Sequence, residues 1–201
     1  ATMDIPVICL VSDRARCAGR ALAEVVEAAV SGGVGMVQLR ERGLPAGELY
    51  ALAERLRAVT SGKALLFVND RVDIAMAVGA DGVQLPENGL SVSSAMRVSG
   101  LRMLLGRSVH SVEGAIEAEE RGADLLVAGT IFSTQSHAKE GTQGTALLRR
   151  IGQSVRIPYL AIGGVTADNI GEVVAAGASG AAVISAISEA DDPERAARDI
   201  V

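Results

Sequence analysis

Ser31-Gly32-Gly33-Val34-Gly35-Met36-Val37 returns three times in altered form, as Val78-Gly79-Ala80-Asp81-Gly82-Val83, Arg121-Gly122-Ala123-Asp124-Leu125-Leu126 and Ala176-Gly177-Ala178-Ser179-Gly180-Ala181. Each copy reads as a helix ending on a glycine that can take positive φ, a link of two or three residues, and the start of an apolar strand. Working outward from these junctions, strands are expected near Val7–Val11, Met36–Leu39, Leu65–Val68, Gly82–Leu85, Met103–Ser108, Leu125–Ala128, Tyr159–Ile162 and Ala181–Ile184. Helical patterns follow each strand, near Ala18–Val30, Ala46–Val59, Val72–Val78, Ser91–Val98, Val112–Arg121, Ala146–Gln153, Ala167–Ala176 and Pro193–Ile200. In the fifth of these, Val112, Ala115, Ile116 and Ala118 make an apolar side while Glu113, Glu117, Glu120 and Arg121 solvate the other. The strands are apolar on both faces, as parallel strands lying under helices must be.

Eight strand–helix units in 201 residues leave about 25 residues per unit, near the lower limit for a (β/α)8 barrel. The sequence therefore predicts an α/β fold, one TIM barrel domain over residues 1–201. The rival, an open doubly wound sheet, carries a glycine-rich turn after its first strand when it binds a dinucleotide. Here that turn is Val11-Ser12-Asp13-Arg14, without glycine.

Composition narrows the function classes. With 49% hydrophobic residues the chain is not a disordered one. A net charge of −5 with no Trp, two Tyr and two Phe offers neither a basic field nor rings for stacking bases, so no nucleic-acid partner is expected. Apolar runs such as Ala64–Val68 are far shorter than the roughly 20 residues that span a bilayer, and no charged-then-apolar leader opens the sequence, so a cytoplasmic chain with no membrane partner is expected. Cys9 and Cys17 are too few for a disulfide framework or a zinc cage, and buried thiols are expected.

In a barrel the chemistry belongs at the C-terminal strand ends. Alternation after the second strand puts Gln38, Arg40 and Arg42 on one side, and guanidinium forks suit phosphate or carboxylate groups, unless both arginines simply bridge to Glu41. Asn69 comes directly off the third strand. Asp70 beside it could cap the next helix or, with Glu87, hold a magnesium ion. His110, in Gly106-Arg107-Ser108-Val109-His110-Ser111, is the acid–base candidate, and His137 in the polar Thr130–Thr145 loop reads as a surface residue. That loop is long enough to act as a lid. Gly163 and Gly164 after strand seven, with Ile184 and Ser185 after strand eight, stand where many barrels bind phosphate through backbone N–H groups and hydroxyls. These residues describe a cofactor-independent enzyme for a small phosphorylated ligand.

Six ordered motifs then resemble the thiamine phosphate synthase/TenI superfamily along essentially the whole chain. They are Gln38-Leu39-Arg40-Glu41-Arg42, Asn69-Asp70-Arg71, Gly106–Ser111, Ile131-Phe132-Ser133-Thr134-Gln135, Ala161-Ile162-Gly163-Gly164 and Ser185-Ala186-Ile187. The resemblance implies one of two activities. The synthase joins a pyrimidine pyrophosphate to a thiazole phosphate with Mg²⁺, whereas the TenI-type aromatizing thiazole tautomerase moves one proton and needs no metal. It also adds Thr134 to the binding residues and implies a homodimer. Three positions depart from the synthase pattern: Arg42 where it has lysine, Gly89 where it has a magnesium-binding aspartate, and His137 where it has a second lysine. Val83-Gln84-Leu85-Pro86 and the Gly106–Ser111 motif look like the TenI branch, while Asp70 is retained as in the synthases. The expectation is accordingly an isomerase: a thiazole tautomerase acting on a thiazole phosphate, with His110 carrying the proton, no metal and no cofactor. The alternatives are the magnesium-dependent synthase and a non-catalytic regulatory protein with the same pocket.

Overall fold

The computed structural model describes residues 7–100, 103–133 and 142–201. Eight parallel strands close into a barrel in chain order: β1 (Val7–Val11), β2 (Met36–Leu39), β3 (Leu65–Asn69), β4 (Gly82–Leu85), β5 (Leu104–Val109), β6 (Leu125–Gly129), β7 (Tyr159–Ile162) and β8 (Gly180–Val183). Closure is made by β8 pairing with β1, where Val7 aligns with Gly180 and Leu10 with Val183. The surrounding helices are α1 (Leu22–Ser31), α2 (Ala46–Thr60), α3 (Val72–Ala77), α4 (Val92–Ser99), α5 (Val112–Glu120), α6 (Gly144–Ser154), α7 (Ile170–Ala175), α8 (Ser185–Ser188) and α9 (Pro193–Ile200).

The two-residue alternation of each strand divides the apolar side chains between two cores. Ile8 and Leu10 of β1 face outward with Val37, Leu39, Leu66, Val68 and the inner faces of the helices. Val7, Cys9 and Val11 face inward with Met36, Phe67, Leu125, Val127, Leu160 and Ala182 and fill the barrel. Phe67 is the largest of these inner side chains, and the inward position beside it on β4 must be bare: a Cβ on Gly82 would lie 2.5 Å from the Phe67 ring. The filled interior makes the barrel a packed core and leaves the strand ends to hold ligands.

Several element bounds shift by one to four residues from the sequence expectation, and two of the shifts bear on the strand ends. The first helix starts at Leu22, not Ala18, because Ala18 (φ 50°) and Gly19 (φ 80°) both turn left-handed after a short 3-10 turn at Arg14–Arg16. The last strand lies one residue earlier than Ala181–Ile184, and a separate one-turn helix, α8, follows it ahead of the expected Pro193–Ile200 helix, so Ile184 stands at a helix entrance and not at a strand end.

Candidate active site

The inward side chains become polar at the top of the barrel. Gln38, the last inward residue of β2, donates from Nε2 to Asn69 Oδ1 at the end of β3 (3.2 Å). On the next strand Gln84 of β4, aligned with Asn69, donates from Nε2 to Ser108 Oγ of β5 (3.1 Å). Gln84 is buried, and its Oε1 has no partner among the described residues. Above this polar layer opens a cavity of about 810 Å³ whose wall includes Gln38, Arg40, Arg42, Asn69, Ser108, His110, Gly163, Gly164, Ile184 and Ser185. The strand ends thus gather every site residue expected from sequence except Thr134, which, like His137, lies outside the described residues.

Arg40 and Arg42 do not bridge to Glu41. That carboxylate is turned toward β1, where it accepts from Ser12 Oγ (2.8 Å), Arg14 N (3.1 Å) and Arg14 Nε (3.4 Å). Burial, and secondarily the neighbouring Arg42, push the guanidinium pKa of Arg40 down. On the far side, the turn after β7 is built from backbone. Gly163 (φ 104°) and Gly164 (φ 64°) both take left-handed conformations, and Asn169 holds the turn by accepting from Thr166 N (2.8 Å) and donating to Gly164 O (2.9 Å). The same glycines pack tightly: a Cβ on Gly163 would lie 2.5 Å from Thr130 Cγ2, and one on Gly164 would lie 2.8 Å from Phe132 Cβ and Ser133 O. No side chain caps α8, so its first N–H groups are left at the mouth beside Ser185.

His110 stands between these two sides, with Nδ1 2.7 Å from Glu87 Oε2. A carboxylate only accepts, so the pair puts the ring proton on Nδ1 and leaves Nε2 for a ligand. The loop carrying Glu87 is pinned by Arg107, which donates to the carbonyls of Pro86, Leu90 and Glu87, each at 2.8 Å. Sequence reasoning passed over Glu87 as a partner of His110, and also missed Gln84, Arg107 and Ser12. Inward alternation from Gly82 marks Gln84, but nothing local marks the other three.

Comparison with known proteins bears on this arrangement. The family model described as thiamine monophosphate synthase matches residues 8–187. The chain belongs to that family. It is 45% identical over 193 residues to the thiamine-phosphate synthase of Natronomonas pharaonis, covering 94% of this chain and 90% of the relative. It is 42% identical over 178 residues to the thiamine-phosphate synthase of Pyrococcus furiosus, covering 88% and 86%. The solved thiamine phosphate pyrophosphorylase from Pyrococcus furiosus superposes with a TM-score of 0.89 at 39% identity, covering 96% and 93% of the two chains. A 3-hexulose-6-phosphate synthase superposes at 0.74 with 21% identity, a likeness of fold alone.

Family membership makes the chain an enzyme and corrects the isomerase expectation. Relatives similar over nearly their whole length carry the synthase name, so three substituted positions do not outweigh the rest of the sequence. The magnesium ion that the synthase resemblance implies is a separate question of donors. Mg²⁺ binds octahedrally through one or two carboxylates with waters and substrate phosphates. Asp70 caps nothing in α3, whose N-cap is Arg71, and its Oδ1 lies 2.8 Å from where a Cβ on Gly89 would be. The position beside Asp70 that the synthase pattern fills with a second carboxylate is therefore bare. Glu87 is engaged by His110, Asp70 is not part of the cavity wall, and no group of three or more His, Cys, Asp or Glu side chains suited to a metal occurs among the described residues. These residues do not fit the ion. Among the described residues, no helix is long and apolar enough to cross a membrane.

Proposed function

We propose that this chain is a thiamine-phosphate synthase, a transferase that joins a pyrimidine pyrophosphate to a thiazole phosphate with release of pyrophosphate. The observation that carries the reading is a single cavity with two anion-receptive sides made of different groups. On one side Gln38, Arg40, Arg42 and Asn69 take the pyrophosphate end. On the other the backbone of Gly163, Gly164 and Ile184, with the hydroxyl of Ser185, holds the phosphate of the thiazole. Negative charge grows on the departing pyrophosphate, and guanidinium forks, that of Arg40 half-withdrawn from water, stabilise that charge most in the transition state. His110, oriented by Glu87, and Ser108, whose oxygen already accepts from Gln84, contact the reacting ends between the two sides. The relatives named as synthases support the same choice.

The test is to supply both substrates and measure thiamine phosphate and pyrophosphate. The reading predicts equimolar formation of the two. Tight binding of thiazole phosphate without coupling would contradict it.

A further inference from the structure

Arg40 and Arg42 line the cavity without an ion-pair or side-chain hydrogen-bond partner among the described residues. The sequence places a carboxylate between them, so the lack of a partner has to be built. Ser12 builds it. Wholly buried, its Oγ donates to Glu41 Oε1 at 2.8 Å and accepts the Arg40 backbone N–H at 2.8 Å, while Arg14 takes the other Glu41 oxygen. Asp13 accepts from the Ala15 N–H and pairs with Arg16, so that it and Glu41 act on Arg40 only through space, without a direct ion pair. The two guanidiniums share the cavity wall, Arg40 half-buried and Arg42 exposed. Such an arrangement is costly unless an external anion completes it. Beside this side, Gly89 and the Glu87–His110 pair leave Asp70, which is outside the cavity wall, without a second carboxylate for a cation.

We propose that this chain binds pyrophosphate without a divalent cation, its charge met by the Arg40 and Arg42 guanidiniums that the Ser12–Glu41–Arg14 lock keeps free of an internal counter-ion. Ser12 and Glu41 are positioning residues in this scheme. The inference rests on the proposed function for the identity of the ligand. Its test reads binding alone, so a failure to couple substrates leaves it standing.

Inorganic pyrophosphate is titrated calorimetrically into the full chain, once in chelator and once in Mg²⁺. Binding in chelator is expected, with Mg²⁺ tightening it by less than about threefold, because guanidinium forks supply the charge-assisted bonds. No binding in chelator, or a larger gain with Mg²⁺, overturns the proposal. Ser12→Ala frees Glu41 to pair with its neighbours and is expected to weaken binding about tenfold, one charge-assisted hydrogen bond's worth. The double variant Ser12→Ala/Glu41→Gln removes the released counter-ion and is expected to restore affinity to within about threefold. A purely structural role for Ser12 would leave the double variant as weak as the single one, and that result overturns the lock. If Ser12→Ala does not fold, Glu41→Gln alone decides: affinity within about threefold of the parent supports the lock, and a larger loss overturns it.

Discussion

The β2–β3 side and the β7–β8 side of the barrel mouth both line the one cavity, yet they are made of different atoms. On the first, long side chains do the work, and they are held from behind by Ser12, Glu41 and the Gln38–Asn69 hydrogen bond. On the second the backbone itself approaches, and Gly163 and Gly164 are demanded as much by Thr130, Phe132 and Ser133 as by any ligand. The difference teaches that a substitution means different things on the two sides. Removing an arginine removes an exposed or half-buried charge from the cavity wall, whereas adding a Cβ to either glycine disturbs the packing of the fold itself.

The largest effect expected is therefore on stability. Gly163→Val forces a β-branched residue to φ 104° against Thr130, which should cost about 3 kcal/mol or more by strain and overpacking. Arg42→Gln on the exposed opposite side should stay within about 0.5 kcal/mol. Chemical denaturation of the two variants checks this, and equal losses would erase the distinction. Next comes the group between the two sides. His110→Asn should lower kcat about 10²-fold with KM little changed, if the imidazole exchanges a proton or hydrogen bond only in the transition state. Steady-state coupling rates decide it, and parental turnover would remove His110 from the reaction. The smallest effect sharpens the comparison from behind. Ser12→Ala deletes two buried hydrogen bonds on the side-chain half and should cost about 1–2 kcal/mol in the same denaturation assay. No loss would mean that the lock bears no strain.

Much of this molecule is legible in its sequence, for identifiable reasons. β1, β2, β4 and β7 begin and end where the glycine links and apolar runs place them, because each parallel strand is buried on both faces and bounded by a turn. The helix α8 escaped because one turn carries too little periodicity, and the late start of α1 because nothing marks Ala18 for a left-handed conformation. Side chains at strand ends could be named from alternation, but their partners could not. Ser12 meets Glu41, Gln84 meets Ser108 and Glu87 meets His110 only because parallel pairing of β1 with β2 and of β4 with β5 brings adjacent strand ends together. The reaction class was misread for a related reason. Arg42, Gly89 and His137 say what single positions cannot do, whereas the kinship with synthases is spread over residues 8–187.

The central claim, that one mouth receives two anions on chemically different sides, is tested most directly by a crystal structure with pyrophosphate and thiazole phosphate bound together. The account predicts the pyrophosphate against the Arg40 and Arg42 guanidiniums and the thiazole's phosphate on the backbone of Gly164 and Ser185. Both phosphorus groups on one side, or the two exchanged, would contradict it.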